Sequence, residues 1–300
     1  MKQKTCIIIC GPTASGKTAA AIEVAQYFNT EIISADSRQC FKELGIAVVK
    51  PSEEELAKVK HHFINSHSIQ DNFTAADYEK YALQKIEIIF ENNNVAVMVG
   101  GTGLYIKAFT NGLDEIKPIP ENIKNEIAIG YNENGITWLQ EKLKLEDNLF
   151  YEKGEMQNPH RMIRALEVLR STGKSILTQQ LKTKKQRDFN IIKIGIELDR
   201  NTLYNNINNR VDTMMQNGLL AESKNLYQYK TLNALQTVGY RELFDAFENT
   251  NTQEKAIELI KQNTRHYAKR QLTWFKKDEE VNWIAKENIL EFVKNISASG

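Results

Sequence analysis

Cysteine is scarce in this sequence. Its three cysteines, Cys6, Cys10 and Cys40, have neither the number nor the spacing of a disulfide framework or a zinc site. Two of them fall in the first apolar run, where they read as small buried hydrophobes. Excess charge is lacking too: 39 Lys and Arg stand against 38 Asp and Glu. A net charge of +1 does not advertise nucleic-acid binding, so any such surface must be local. No apolar run is long enough to span a bilayer and no signal peptide opens the chain, so a cytoplasmic protein without a membrane partner is expected. Repeats and low-complexity tracts are absent. His61, His62 and His67 cluster without the i, i+4 spacing of a metal pair, so no metal is expected there. The rest is ordinary: 300 residues, 41% hydrophobic and 26% charged, enough for one large domain or two modest ones.

One stretch is not ordinary. Residues 11–18 read Gly-Pro-Thr-Ala-Ser-Gly-Lys-Thr, a full G-x-x-x-x-G-K-[ST] loop. An apolar run, Cys6 to Cys10, precedes it and a helical pattern, Ala19 to Phe28, follows. Strand, loop and helix in that order make a phosphate site. Gly11 and Gly16 let the backbone curl so that its N–H groups converge on one anion. The helix N-terminus adds its positive end. Gly11, Pro12, Thr13, Ala14, Ser15, Gly16, Lys17 and Thr18 are therefore the expected phosphate-binding residues. Lys17 brings a mobile cation, and the Thr18 hydroxyl is the candidate ligand of a magnesium ion. The loop alone does not identify what carries the phosphate.

The first hundred residues alternate strand and helix. Strands are expected at Thr5 to Cys10, Glu31 to Ala35, His62 to Asn65 and Val95 to Val99. Helices are expected from Lys17, from Thr74 to about Phe90 with Thr74 and Asp77 as a capping box, and from Leu104 to Asn111. This alternation predicts an α/β fold, a P-loop-like parallel sheet flanked by helices. Pro118 and Pro120 mark a linker, and Glu121 to Asp188 reads as helical and strand-poor, with a clean start at Asn158-Pro159. Ile191 to Leu198 reads as a strand returning to the sheet. The expected organisation is a core of residues 1–115 and 190–300 around a mainly α-helical insertion, 116–189. Helices are expected at Asn201 to Gln216, Leu219 to Gln228, Tyr240 to Phe247 and Thr252 to Lys277.

Ligands on open parallel sheets bind at the carboxyl ends of the strands. Asp36 follows its strand at once, so its carboxylate should face the phosphate loop. It reads as a magnesium ligand, a general base or the cap of the next turn. The strand Val95 to Val99 ends in Gly100-Gly101-Thr102-Gly103 rather than in an acidic residue. Nothing is therefore placed to polarise water for nucleotide hydrolysis, and the Thr102 hydroxyl is free to meet a polar substrate edge. Basic residues gather later: Arg161 and Arg164, then Lys174, Lys182, Lys184, Lys185 and Arg187, then Arg265, Lys269, Arg270 and Lys276 on the final long helix. Such patches suit a phosphate backbone. Tyr267, Trp274 and Phe275 read as packing residues. Arg210, on the helix after the returning strand, reads as a surface arginine or as a cation for the phosphate site.

Several blocks together resemble the tRNA dimethylallyltransferases of bacterial type. They are Gly-Pro-Thr-Ala-Ser-Gly-Lys-Thr at 11–18, Ser-Ala-Asp-Ser-Arg-Gln at 34–39, Phe-Thr-Ala-Ala-Asp-Tyr at 73–78 and Gly-Gly-Thr-Gly-Leu-Tyr at 100–105. Pro-His-Arg-Met-Ile-Arg-Ala-Leu-Glu at 159–167, Val-Gly-Tyr-Arg at 238–241 and Arg-His-Tyr-Ala-Lys-Arg-Gln-Leu-Thr-Trp at 265–274 complete the set. The resemblance implies transfer of a five-carbon prenyl group from dimethylallyl diphosphate to N6 of the adenosine beside the anticodon, position 37. It implies that the loop holds the diphosphate leaving group rather than ATP. Lys17, Thr13, Thr18, magnesium and Arg210 would stabilise its charge, Asp36 would take the N6 proton and Thr102 would orient the adenine. It implies tRNA contacts from Asp36, Ser37, Arg38, Gln39 and Thr102, from Lys124, His160, Arg161, Met162, Ile163 and Arg164 in the insertion, and from Gly239, Tyr240, Arg241, Arg265, Lys269 and Arg270. The insertion would grip the anticodon stem-loop, and the enzyme would act as a monomer.

The family's usual Gly-Thr-Ala-Lys-Pro is here Ala47-Val48-Val49-Lys50-Pro51, so a glycine and a threonine are lost, which would alter substrate preference or rate if they shape the prenyl or tRNA pocket. Three other readings compete. Prenylation of free adenine nucleotides, a close cousin, would leave the tRNA-gripping blocks without a purpose. A small-molecule kinase of the P-loop type would leave the basic insertion without a purpose. A tRNA-binding module without activity would leave Lys17, Thr18, Asp36 and Arg210 without one.

Overall fold

The computed structural model describes residues 3–114, 118–179 and 184–298. β1 (Thr5–Cys10) leads through the glycine-bearing loop into α1 (Lys17–Tyr27). β2 (Ile32–Ser34), α2 (Glu53–Lys58), β3 (His61–His62), α3 (Ala75–Asn92), β4 (Val95–Gly100) and α4 (Gly103–Asn111) follow. A helical run intervenes: α5 (Glu121–Glu146), α6 (Asn148–Lys153), α7 (Pro159–Thr172) and α8 (Ile176–Gln179). β5 (Asn190–Glu197) then returns, followed by α9 (Arg200–Gln216), α10 (Leu219–Leu226), α11 (Tyr240–Phe247), α12 (Gln253–Phe275), β6 (Val281–Ala285) and α13 (Ile289–Ala298).

The six strands form one parallel sheet in the order β3-β2-β4-β1-β5-β6. The fold is the α/β, P-loop-like parallel sheet that the sequence predicts. Every residue of β1 and β4 is buried, as a central strand covered on both faces requires. Alternate side chains serve two cores. Cys6, Ile8, Cys10 and Met98 pack towards α3, α4 and the later helices. Ile7, Ile9, Val97 and Val99 pack towards α1 and α13. All three cysteines are buried and free, and Cys6 and Cys10 fill the hydrophobe role expected of them.

The chain divides into two compact units, Met1–Asn111 with Gln186–Gly300, and Gly112–Lys185. Residues 186–189 pack with the first unit rather than with the insertion. Arg187 shows why: it donates to the Phe109 and Ala108 carbonyls at 2.8 and 3.0 Å and pairs with Glu79 at 2.9 Å. Its expected place in a basic patch is therefore corrected, because the guanidinium is taken up inside the core unit. Lys182 lies outside the described residues.

In the second unit, Met162, Ala165 and Leu166 of α7 pack on Ile127, Leu139 and Leu143 of α5 and on Phe150. Asn158 caps α7 by accepting from the Arg161 N–H, with Pro159 in the first turn. α5 breaks at Gly135, whose φ of 70° is left-handed.

Three elements escaped the sequence reading. α2 buries no side chain, so no apolar stripe announces it. β6 is a sheet edge of five residues, of which only Val281 is fully buried. α13 hides its start behind a short 3-10 turn, Lys286–Asn288, and contributes Ile289 and Val293 to the core. The third strand, expected at His62 to Asn65, is only His61–His62. Left-handed backbone at Phe63 (φ 66°) and Asn65 (φ 51°) ends it.

Candidate active site

Parallel pairing aligns the carboxyl ends of four strands. Cys10 registers with Gly100 and Gly195, and Ser34 with Val99. The phosphate loop, Asp36 and the glycine turn after β4 thus meet at one edge. They border a cavity of about 280 Å³ lined by Thr13, Lys17, Thr18, Asp36, Arg210 and Gln271 among others.

The loop has the geometry of an anion cradle. Gly11 (φ 144°) and Gly16 (φ 86°) take backbone angles that side chains disfavour, and Gly16 caps α1. The Ser15 hydroxyl donates to the Pro12 carbonyl at 2.9 Å, and so does the Lys17 ammonium at 2.5 Å. Burial pushes Lys17 down to about 8; Asp36 opposes that fall and Arg210 adds to it. Arg210 is held below its ordinary value by the same burial, again opposed by Asp36. Its Nη1 donates to the Thr13 hydroxyl at 3.1 Å. This arginine is therefore no surface residue. It leans on the phosphate loop from α9, opposite Asp36. Three cations, Lys17, Lys50 and Arg210, and two carboxylates, Asp36 and Glu55, line a partly closed cavity whose net charge is positive, which suits an anion.

A pH dependence follows. An anion on Lys17 favours its charged form, so above about pH 8 binding must take up a proton. The share of diphosphate affinity that Lys17 supplies, read as the parent's affinity relative to Lys17→Met at each pH so that the ligand's own ionisation cancels, is expected to be flat below that point and to weaken by up to about tenfold per pH unit above it. Calorimetry across the range checks this. The Lys17→Met variant should bind weakly with no such slope.

Asp36 serves the turn and the cavity at once. Its Oδ1 accepts from the N–H groups of Arg38 and Gln39 at 2.9 and 3.3 Å. Oδ2 has no hydrogen bond among the described residues, and the residue borders the cavity. The capping role weighed against the catalytic ones is thus real, but it engages only one oxygen. The ground beneath is aromatic. The Tyr78 hydroxyl donates to the Ser34 carbonyl at 3.0 Å, and its ring stacks on Tyr105 at 4.2 Å. The Thr74–Asp77 capping box places Tyr78 one turn into α3.

Thr102 faces the Asp36 segment. Its hydroxyl accepts from the Ser37 N–H at 3.0 Å and donates to the Ser37 hydroxyl at 3.3 Å. Its N–H donates to the Ala35 carbonyl. The structure therefore ties Thr102 to residues 35–37. Thr18 borders the cavity, half-buried. Among the described residues no cluster of three His, Cys, Asp or Glu side chains occurs. One hydroxyl and one carboxylate fit magnesium only when the substrate's phosphate oxygens and water complete the shell.

Gln271, which enters the sequence reading only as part of the block at 265–274, is 7% exposed and works inside the site. Its Oε1 accepts from the Thr13 N–H at 2.8 Å, and its Nε2 donates to the Gly101 carbonyl at 2.9 Å. It stitches the phosphate loop to the glycine turn. Gly101 must lack a side chain, since a Cβ there would sit 2.2 Å from Nε2. Gln271→Leu leaves a buried donor and acceptor unpaired, so a stability loss of about 1–3 kcal/mol is expected. Weaker diphosphate binding should accompany it, measured by denaturant melts and calorimetry. Lys286, beyond α12, also reaches the loop: its Cδ lies 3.1 Å from where a Gly16 Cβ would be. No motif marks it.

Several expected tRNA contacts are corrected. Met162 is 0% exposed in the core of the insertion, so its side chain packs and does not meet RNA. Tyr240 is 0% exposed, and its hydroxyl donates to Glu222 at 2.7 Å. Gly239 is buried beside it, where a Cβ would press on that of Ala47 at 3.2 Å. This motif braces a loop. Arg241 alone of the three is exposed. Ile163 is half-buried against the insertion core. His160 and Arg161 are exposed, Arg161 being paired with Glu155. Lys124 pairs with Glu121 at 2.7 Å and Arg164 with Glu167 at 3.3 Å, so these cations are partly offset. On α12, Lys269 and Arg270 are exposed, and Arg265 donates to Asn208 at 2.7 Å. Phe275 packs as expected, but Tyr267 and Trp274 are 37% and 41% exposed. Ser37, Arg38 and Gln39 are half-buried, and Gln39 borders the cavity.

The sequence model of the family described as IPP transferase matches residues 39–278. A tRNA dimethylallyltransferase of Christiangramia forsetii is 48% identical, covering 96% of this chain and 97% of the relative. The crystal structure of the full-length tRNA isopentenylpyrophosphate transferase of Bacillus halodurans is 34% identical, with a TM-score of 0.72 over 99% of this chain and 96% of that one. A eukaryotic dimethylallyltransferase acting on tRNA is 25% identical, with a TM-score of 0.78 over 99% of this chain and 77% of that one. With a relative this close over the full length, and a family match across most of the chain, the protein belongs to the IPP transferase family, the tRNA dimethylallyltransferases.

Proposed function

We propose that the chain transfers a dimethylallyl group from dimethylallyl diphosphate to N6 of the adenosine at position 37 of tRNA. The observation that carries this reading is the shared cavity, which Lys17, Arg210 and Asp36 all line, with Oδ2 of Asp36 unbonded among the described residues. The loop holds the diphosphate. As the bond from C1 to its oxygen breaks, that electron pair goes to the diphosphate, and Lys17, Arg210, Thr13 and the loop N–H groups stabilise the growing charge. N6 forms the new bond to C1. The N6 proton passes to Asp36, which later yields it to water. Thr18 would hold magnesium together with the diphosphate oxygens. That ion would neutralise charge on the leaving group.

The adenine must leave its stack to reach such a cavity. Thr102 fixes the segment carrying Asp36 and would thereby set the angle at which the base is met. The exposed cations Arg161, Arg241, Lys269 and Arg270, with the half-buried Arg164, Arg38, Arg265 and Lys124 and with His160, would hold the anticodon stem-loop by its phosphates. Every proposed group comes from one chain, so a monomer suffices, working in the cytoplasm where tRNA is matured. The test is incubation of the protein with dimethylallyl diphosphate, magnesium and unmodified tRNA, followed by mass analysis of the digested nucleosides. Prenylated adenosine with one diphosphate released per transfer is expected. Transfer of phosphate from ATP, or no modified adenosine with any tRNA, would overturn the reading.

A further inference from the structure

Among the described residues, six other than glycine have left-handed backbone: Ala14, Asn29, Val49, Phe63, Asn65 and Asn249. Val49 (φ 47°) is the β-branched one, the residue type least suited to that region. Strain of this kind persists only where the surroundings impose it, and it gathers at functional sites.

The surroundings here are unusually insistent. The Gln39 amide donates to the Val49 and Val48 carbonyls at 2.9 and 3.3 Å. The Val49 N–H donates to the Ile46 carbonyl at 3.3 Å. Upstream, the Glu222 carboxylate accepts from the Ile46 and Ala47 N–H groups at 2.8 and 3.2 Å and is itself braced by Tyr240. Downstream, the Lys50 ammonium donates to the Phe41 carbonyl at 2.6 Å. Side chains from two other parts of the chain, Gln39 and Glu222, thus hold one short loop in a conformation its valine resists.

That loop borders the same cavity as Lys17, Asp36 and Arg210. Lys50 is turned to backbone carbonyls, so the loop offers the cavity little but Val48, Val49 and Pro51. A diphosphate has no use for an apolar wall. A hydrocarbon tail does, and so does an allylic carbon that must be kept from water while its charge develops. We propose that Val48 and Val49 form the wall that receives the hydrocarbon end of the donor and limits its length to five carbons. This rests on the reading of the site as a prenyl-diphosphate site.

The test compares the parent, Val49→Gly and Val49→Thr in binding of inorganic diphosphate, dimethylallyl diphosphate and its ten-carbon homologue, geranyl diphosphate. Glycine adopts the required backbone freely, so Val49→Gly should melt no lower than the parent. Its preference for five over ten carbons should fall about tenfold. Val49→Thr should bind inorganic diphosphate as the parent does and dimethylallyl diphosphate about tenfold more weakly. An unchanged five-to-ten preference in Val49→Gly would overturn the wall. Equal losses for inorganic diphosphate and for the donor would overturn it too, since the loop would then act on the cradle. These are binding readouts, so they stand apart from tRNA turnover. A parent that shows the wall's effects but never prenylates tRNA would refute the proposed function and leave the wall in place.

Discussion

Asp36→Asn will cut prenyl transfer by about 10²–10⁴-fold while tRNA affinity stays close to that of the parent. The choice of asparagine matters. Asp36 Oδ1 caps the turn at Arg38 and Gln39, and an amide oxygen can keep both of those hydrogen bonds. What asparagine cannot do is accept the N6 proton. Alanine would remove the cap as well and confuse a folding loss with a chemical one. Single-turnover assays with saturating tRNA, beside filter binding of the same tRNA, separate the two. A variant with normal turnover would remove Asp36 from the chemistry. A variant that lost tRNA binding in proportion to rate would make it a contact residue instead.

Removing either cation from the cradle should cost nearly as much. Lys17→Ala or Arg210→Ala takes away a fixed positive charge where the leaving group gathers negative charge, which is worth about 10²–10³ in rate. Both cations are held in a cavity that depresses their charged forms, so neither is well solvated before substrate arrives. An arriving diphosphate relieves that penalty. The double variant should lose less than the product of the two single losses, because the groups serve one anion and lie close enough to interact. Inorganic diphosphate should bind each variant more weakly, and tRNA should not. Rates within a few-fold of the parent for Arg210→Ala would return that arginine to a structural role, bracing Thr13.

The parts of this site that the sequence announced are those fixed by local physics. A phosphate loop needs glycine at set positions and a strand and helix around it, and all of that is contiguous from Thr5 to Tyr27. The capping box at Thr74 and the helix start at Asn158-Pro159 are equally local. Asp36 was legible because a carboxylate just past a strand can point only at the sheet's ligand edge.

What was not legible depends on contacts across long stretches of chain. Gln271 meets Thr13 across 258 positions, and no spacing rule reports that. The family resemblance alone implied that the Val-Gly-Tyr-Arg block touches tRNA. Its aromatic ring is instead buried to hold Glu222, which holds the loop at 46–47. Met162 differs from these: its local helical repeat sets it on an apolar stripe with Leu166, and only the family resemblance made it a tRNA contact. Arg187 reads as one more cation in a basic run until its carboxylate partner, Glu79, appears from α3. Edge elements such as α2 and β6 bury too little to leave a periodic pattern.

A crystal structure with an unreactive sulfur analogue of dimethylallyl diphosphate, magnesium and an anticodon stem-loop tests the account most directly. It should show the diphosphate in the loop of Gly11–Thr18 with Lys17 and Arg210 on its oxygens. The flipped adenine should place N6 within about 2.6–3.2 Å of the Asp36 carboxylate, the reach of proton transfer. A diphosphate bound elsewhere, or an N6 facing some other group with Asp36 turned to its cap alone, would contradict it.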